Sequence, residues 1–258
     1  MSQVIAIVNQ KGGVGKTTTT VNLASFIANK GKKVLLIDVD PQGNATSGLG
    51  LEKNKVELST YDVLINQVPL RDAIQETGRK RLSICPANID LAGAEVELVG
   101  TVSRETFLKR AIDPIRDEFD FVLMDCPPSL GLLTLNALTA ADSLIVPIQG
   151  EYYALEGLTQ LMETVSIVKR NMNQNLSVFG VVVTMFDART QLSHQVAAEV
   201  RKYFGDKVFR TIIPRNVRLS EAPSFGKSIV EYDPKSKGAE SYDALAREVI
   251  KRAGGYGL

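Results

Sequence analysis

The sequence predicts an α/β protein: a doubly wound, mostly parallel sheet. Three observations predict it. Apolar, β-branched runs recur along the chain, stretches with helical spacing separate them, and the first run leads directly into a glycine-rich loop.

The runs are Val4 to Val8, Val34 to Ile37, Leu82 to Cys85, Phe121 to Met124, Ser143 to Ile148, Phe179 to Thr184 and Val208 to Ile213. They are continuous rather than alternating, as strands covered on both faces are. Helices are predicted over Thr18 to Asn29, Ser103 to Arg116, Leu155 to Arg170, Ser193 to Phe204 and Ala239 to Arg252. The first of these puts Val21, Ala24, Ile27 and Ala28 on one side, and Gly31 stops it. Asp40 to Lys55 is the longest irregular stretch, and its length indicates a functional loop rather than a boundary. No linker or repeat divides the chain, so residues 1–258 read as a single P-loop domain.

Composition narrows the class. At 258 residues and 44% apolar content the chain can bury a large core without staples. Its two cysteines, Cys85 and Cys126, make no disulfide framework, which fits a reducing compartment. Polar Ser2 and Gln3 lead straight into a strand, so no leader is expected. No apolar run reaches the roughly 20 residues that span a bilayer. The expectation is a soluble, cytoplasmic protein. Net charge is +1, which argues against a uniformly basic nucleic-acid binder. From Asp187 to Leu258, however, 13 Lys/Arg stand against 9 Asp/Glu. Such asymmetry marks either a polyanion-binding face or a solvated helix and loop.

The chemistry concentrates in "NQKGGVGKTT". Gly12, Gly13 and Gly15 let the backbone fold tightly, so that N–H groups from Gly12 through Val14 to Thr18 converge on phosphate oxygens. The helix opening near Gly15 adds its positive end. Lys16 is placed to hold the β- and γ-phosphates, and the Thr17 hydroxyl to ligate Mg²⁺. Gln10 occupies the position of the first glycine in the usual G-x-x-x-x-G-K-T frame. A second lysine, Lys11, begins the loop on the other side of the phosphates. Two carboxylates, Asp38 and Asp40, end the second strand at the sheet's carboxyl edge, where ligands bind. Asp125 ends an apolar strand in the Walker B manner, ahead of the rigid Pro127–Pro128 turn. It is expected to reach Mg²⁺ through a coordinated water.

K-G-G-x-G-K-T-T resembles the deviant Walker A motif of the ParA/MinD family. "LLIDVDPQGNATSGLG", "VLMDCPPSLGLLTLNALTAAD", "EYYALEGLTQL", "TMFDART" and "IPRNVRLSEAPSFGK" extend the resemblance, over nearly the whole chain, to its ParA/Soj chromosome-partitioning branch. The resemblance implies a slow ATPase that closes into an ATP-bound homodimer. In it Lys11 crosses the two-fold axis to the partner's triphosphate, where a cation offsets the gathered negative charge. It also implies that Asp40 positions or activates the attacking water, which leaves Asp38 to orient the Mg²⁺ shell or the loop. Pro214 and Asn216 would receive the adenine, and Glu151 would approach the nucleotide from the dimer interface. Arg189 and Arg218 match positions that bind double-stranded DNA nonspecifically; Lys227, Lys251 and Arg252 are weaker additions from the same basic third of the chain. The implied partner is a ParB (Spo0J)-type centromere-binding protein that stimulates hydrolysis. The implied location is the nucleoid, and the implied role is partition, with control of replication initiation as an extension.

Other residues carry blander readings. His194, the sole histidine, opens a helix and reads as a surface or capping residue. Cys85 and Cys126 do not form an iron–sulfur pattern, and Tyr152 and Tyr153 read as packing residues. The last helix could anchor to a membrane, as in MinD. Glu240, Asp243 and Glu248 dilute its basic face, however, so core packing is expected and no stable membrane association. A metabolic P-loop enzyme of the dethiobiotin synthetase kind is the third reading.

Overall fold

The computed structural model describes residues 2–150 and 156–255. In chain order its strands are β1 (Gln3–Ile7), β2 (Val34–Asp38), β3 (Gln75–Glu76), β4 (Leu82–Cys85), β5 (Phe121–Asp125), β6 (Ser143–Gln149) and β7 (Ser177–Thr184). The α-helices are α1 (Lys16–Asn29), α2 (Asn44–Gly48), α3 (Thr60–Leu64), α4 (Leu70–Ala73), α5 (Leu91–Glu97), α6 (Phe107–Ile112), α7 (Leu132–Ala140), α8 (Glu156–Asn171), α9 (Gln191–Phe204), α10 (Val217–Glu221), α11 (Ile229–Tyr232) and α12 (Lys237–Gly255). The strands form one sheet in the order β3-β4-β2-β5-β1-β6-β7, parallel except for the short edge strand β3.

Side chains on β1 alternate between two cores, as the two-residue period of a strand requires. Val4, Ala6 and Val8 join the core that holds Leu133 of α7, Leu161 of α8 and Val200 of α9. Ile5 and Ile7 join the one under α1 and α12. The apolar side of α12 (Tyr242, Leu245, Ala246 and Val249) is wholly buried there. The Tyr242 hydroxyl lies 3.1 Å from the Thr19 hydroxyl on α1. No helix among the described residues is long and apolar enough to cross a membrane.

Two predicted elements take another form. Val208 to Ile213 is no strand but an extended segment with isolated bridges to β7 at Val208 and beyond it at Pro214. Phe209 and Ile213 donate N–H groups to Val181 and Val183 at 2.8 and 2.9 Å. Between them, the N–H groups of Arg210 and Thr211 go to the Glu248 carboxylate of α12, at 2.9 and 2.7 Å. A side chain has replaced the ladder. Ser103 to Arg116 breaks into a 3-10 turn, α6 and, beyond Pro114, a second 3-10 turn. Proline denies the helix a donor and constrains the residue before it.

Candidate nucleotide site

Register explains why distant residues meet. Asp38 pairs with Asp125 across β2 and β5, and Asp125 pairs with Ile7 across β5 and β1. Three neighbouring strands therefore end side by side, two in carboxylates and one in the glycine loop. Gly13 and Gly15 hold φ of 73° and 87°, a left-handed conformation that side chains resist. The loop is pinned at three points. Asn9 Nδ2 donates to Pro147 O at 2.7 Å, the Lys11 N–H donates to Asn9 Oδ1 at 3.0 Å, and Thr184 Oγ1 donates to Val14 O at 2.8 Å.

Lys16 is 6% exposed, and its ammonium donates to Lys11 O at 3.0 Å, closing the loop. Burial pulls its pKa below the usual lysine range, and the Asp125 charge opposes that. Thr17 and Thr20, one helical turn apart, donate their hydroxyls to Asp125 at 2.7 and 2.9 Å. Burial raises the Asp125 carboxyl well above the usual range, with the Asp38 charge adding to it. Burial raises Asp38 likewise. The Asp38 carboxylate accepts from Thr46 N and Oγ1 at 2.8 and 2.7 Å and from Asp40 N at 3.2 Å, so it holds the loop leading into α2. Asp40, 6% exposed, accepts from Gln42 N at 2.9 Å.

Lys16, Thr17 and Asp40 line a cleft of about 320 Å³ with Gly12, Gly13, Gly15, Thr18, Gln42, Asn44, Pro128 and Met185, and Asp125 lies fully buried behind Thr17. A second hollow of about 300 Å³ shares Gly15, Thr18 and Met185 with it. Pro214 and Asn216 lie on its wall, beside Thr184, Ile213 and Tyr242. Asn216 Oδ1 caps α10 by accepting from Arg218 N at 2.9 Å, which leaves the amide NH₂ as a donor for a base edge. Two joined hollows, one charged and one mostly apolar, suit a nucleoside triphosphate.

A metal fits the donor set. No group of three His, Cys, Asp or Glu gathers among the described residues, so no all-protein cage exists. One hydroxyl and one buried carboxylate side by side are what Mg²⁺ takes when phosphate and water complete its shell.

A family model described as an AAA domain matches residues 2–178. The chain is 59% identical over 249 residues to the sporulation initiation inhibitor protein Soj of Bacillus subtilis, covering 96% of this chain and 98% of that protein. It is 54% identical over 252 residues to the chromosome partitioning protein ParA of Myxococcus xanthus, covering 98% and 89%. The chain belongs to the ParA/Soj family of chromosome-partitioning ATPases. Among solved structures, cobyrinic acid a,c-diamide synthase from Mycobacterium smegmatis with bound ADP and magnesium matches with TM-score 0.86 at 39% identity, covering 97% and 95%. The septum site-determining protein MinD from Pyrococcus horikoshii, complexed with Mg-ADP, matches with TM-score 0.80 at 30% identity, covering 98% of each chain.

The basic residues expected to contact DNA divide. Arg189 is 87% exposed and pairs through two nitrogens with Asp187, at 2.9 and 2.7 Å. Its loop adjoins the Arg215–Arg218 segment through a bridge between Phe186 and Pro214. His194 braces the same loop, with Nε2 3.1 Å from Ala188 O and the ring edge-on to Phe186. Arg218 is exposed and pairs with Glu221 at 2.9 Å and Asp233 at 3.6 Å. Lys227 and Lys251 are exposed. Arg252 departs from the expectation of a DNA contact, because its guanidinium turns inward. It lies 4.4 Å over the Phe209 ring and donates to the carbonyls of Phe179, Lys207 and Asp206. Glu151 lies outside the described residues, as do Tyr152 and Tyr153. Asn9, Thr20, Thr46 and Thr184 escaped the sequence reading. Thr20 was within reach, since it sits three residues after Thr17 on the same helical face.

Proposed function

We propose that the chain is a slow, Mg²⁺-dependent ATPase that works as a DNA-binding switch. The carrying observation is the cleft lined by Lys16, Thr17 and Asp40 at the ends of adjacent strands, with Asp125 directly behind Thr17 and hydrogen-bonded to it. Mg²⁺, when bound, neutralises phosphate charge and polarises the group being transferred. Thr17 and Asp125 hold it. Lys16 exchanges the Lys11 carbonyl for phosphate oxygens, and the loop N–H groups take the rest. Asp40 orients the attacking water. No arginine lines the phosphate cleft among the described residues. An arginine finger supplies roughly 10³–10⁵-fold, so turnover without one is slow and leaves room for stimulation by a ParB-type partner.

Lys11 sits half-buried at the cleft's rim and, in this reading, reaches the triphosphate of a second copy in an ATP-bound homodimer. Pairing doubles the Arg189 and Arg218 contacts to nonspecific double-stranded DNA, which makes affinity depend on nucleotide through effective concentration. Nucleoid association and chromosome partition follow. Burial of the apolar side of α12 speaks against a MinD-like membrane switch. Identity of 59% to Soj, against 39% to the diamide synthase, favours partition over small-molecule synthesis.

The test compares DNA retention in the apo, ADP and ATP states with Lys11→Ala and Asp40→Ala. Retention should require ATP, vanish in Lys11→Ala, and persist without turnover in Asp40→Ala. A protein that stays monomeric with saturating ATP and binds DNA equally in all states would defeat the proposal.

A further inference from the structure

The segment from Ile213 to Tyr232 serves both halves of the proposed switch. Pro214 to Val217, Leu219 and Ser220 line the base pocket, and the same segment carries Arg218 and Lys227. Two joints tie it to the rest of the nucleotide site. At one, the Ile229 N–H donates to Asn22 Oδ1 of α1 at 2.7 Å, fully inside the protein.

The other joint centres on Arg79, in the turn between β3 and β4, whose side chain is only 16% exposed. Nη1 donates to Leu49 O at 2.6 Å, Nη2 donates to Gly226 O at 2.9 Å, and Nε pairs with Glu231 at 2.8 Å. Leu49 closes α2, the helix that follows the Asp40–Asn44 lip of the phosphate cleft. Beside the guanidinium, Gly50 and Gly226 meet backbone to backbone at φ of 86° and 60°. A Cβ on Gly226 would stand 2.7 Å from Gly50 Cα, so no other residue permits this approach without a shift. Arg79 lines neither half of the nucleotide site, yet one side chain grips both α2 and the basic segment.

We propose that Arg79 is a positioning residue that clamps the Arg218–Lys227 segment to α2, so that nucleotide binding at the Asp40–Asn44 lip is passed to the DNA-contacting face. Its output rests on the DNA-binding reading above, whereas the clamp rests on geometry. Helix α2 has five residues, a rod of about 7.5 Å. Thr46 holds it to Asp38 and Arg79 holds its far end, so it shifts as a unit. Only a planar fork of donors meets two carbonyls and a carboxylate at once, and lysine keeps the charge without the fork.

The experiment uses the full chain with Arg79→Lys, and Glu231→Gln as a milder second variant. Hydrogen exchange across residues 215–233 is followed with and without Mg·ATP, and DNA affinity is measured in ATP and ADP across a salt series. In wild type, Mg·ATP should slow exchange in that segment. Arg79→Lys should lose the response while staying folded and keeping its ATP affinity, with only a modest drop in melting temperature for the carbonyls that lysine leaves unmet. Its preference for DNA in ATP over ADP should fall about 5-fold or more. The salt slope should not change, because no phosphate contact is removed. Glu231→Gln should shift both readouts the same way by less. Arg218→Glu, by contrast, should lower the slope in both nucleotide states. An undiminished exchange response and preference in Arg79→Lys overturns the proposal. So does a loss that tracks melting temperature or ATP affinity, which would mark a merely structural residue. An exchange response without any DNA binding in wild type would remove the DNA-binding reading and leave the clamp standing.

Discussion

Charged side chains in the nucleotide cleft and on the basic strip follow opposite rules. Lys16, Asp38, Asp40 and Asp125 are at most 6% exposed, and each is held by hydrogen bonds to hydroxyls or backbone. Arg189 is 87% exposed and its ion-pair partner sits two residues away. Burial makes each cleft group costly to leave unmatched, whereas solvent reduces an exposed pair to a fraction of a kcal/mol. The cleft should therefore respond to substitution in an all-or-none way, and the strip in a graded, salt-sensitive way.

Asp125→Asn gives the largest expected effect and tests the first half of that contrast. If Asp125 holds Mg²⁺ as proposed, removing its carboxylate should lower ATP turnover by about 10²–10³-fold, since metal stabilisation of transition-state charge is worth several kcal/mol. In the nucleotide-free protein the same change should raise the melting temperature. Burial and the neighbouring Asp38 charge both disfavour the Asp125 anion, and the amide relieves them. A lower melting temperature without nucleotide would show that the paired aspartates are not a strained cluster.

Arg252→Ala comes next and asks where the boundary between the two regions lies. The sequence groups Arg252 with the basic strip, but its surroundings are those of the cleft: an aromatic face and three backbone carbonyls. Alanine should cost about 2–4 kcal/mol, counting lost charged hydrogen bonds and stranded carbonyls. That is a drop of very roughly 4–16 °C for a domain of this size. DNA affinity of the folded variant should match wild type. Weakened DNA binding at unchanged stability would return Arg252 to the strip.

Arg252 also shows what the sequence conceals. A count of cations says where charge lies along the chain, not which way a side chain turns. The cleft was legible because its signals are local: glycines at set spacings, Lys16 and Thr17 at a helix start, an apolar run ending in Asp125. Elements that depend on distant partners were not. Val208 to Ile213 has strand composition, yet Glu248 takes two of its N–H groups. Helix α7 is buried nearly all round, so it shows no amphipathic period to read. The Arg79 joint links three segments far apart in sequence, and no spacing announces it.

Arg189 and its partner Asp187 test the graded half of the contrast, and their milder substitutions give the smallest effects. Arg189→Glu should abolish ATP-dependent DNA retention near physiological salt with ATPase intact, because it replaces the proposed phosphate contact by repulsion. Arg189→Ala should act more gently, lowering the slope of log affinity against log salt by about 0.9 per lost contact. Asp187 sharpens the point. Hydrogen bonds from the Arg189 side chain, then its backbone N–H, hold the Asp187 carboxyl well below the usual carboxylate range. A depressed carboxyl stays ionised as pH falls through the ordinary aspartate range, so the pair keeps competing with DNA phosphate throughout that range. Asp187→Asn removes that competitor and should strengthen DNA binding modestly, with the gain shrinking as salt rises. Equal affinity for Asp187→Asn and wild type at low salt would mean that Arg189 leaves its carboxylate at no cost, and the strip would then be set by exposure alone.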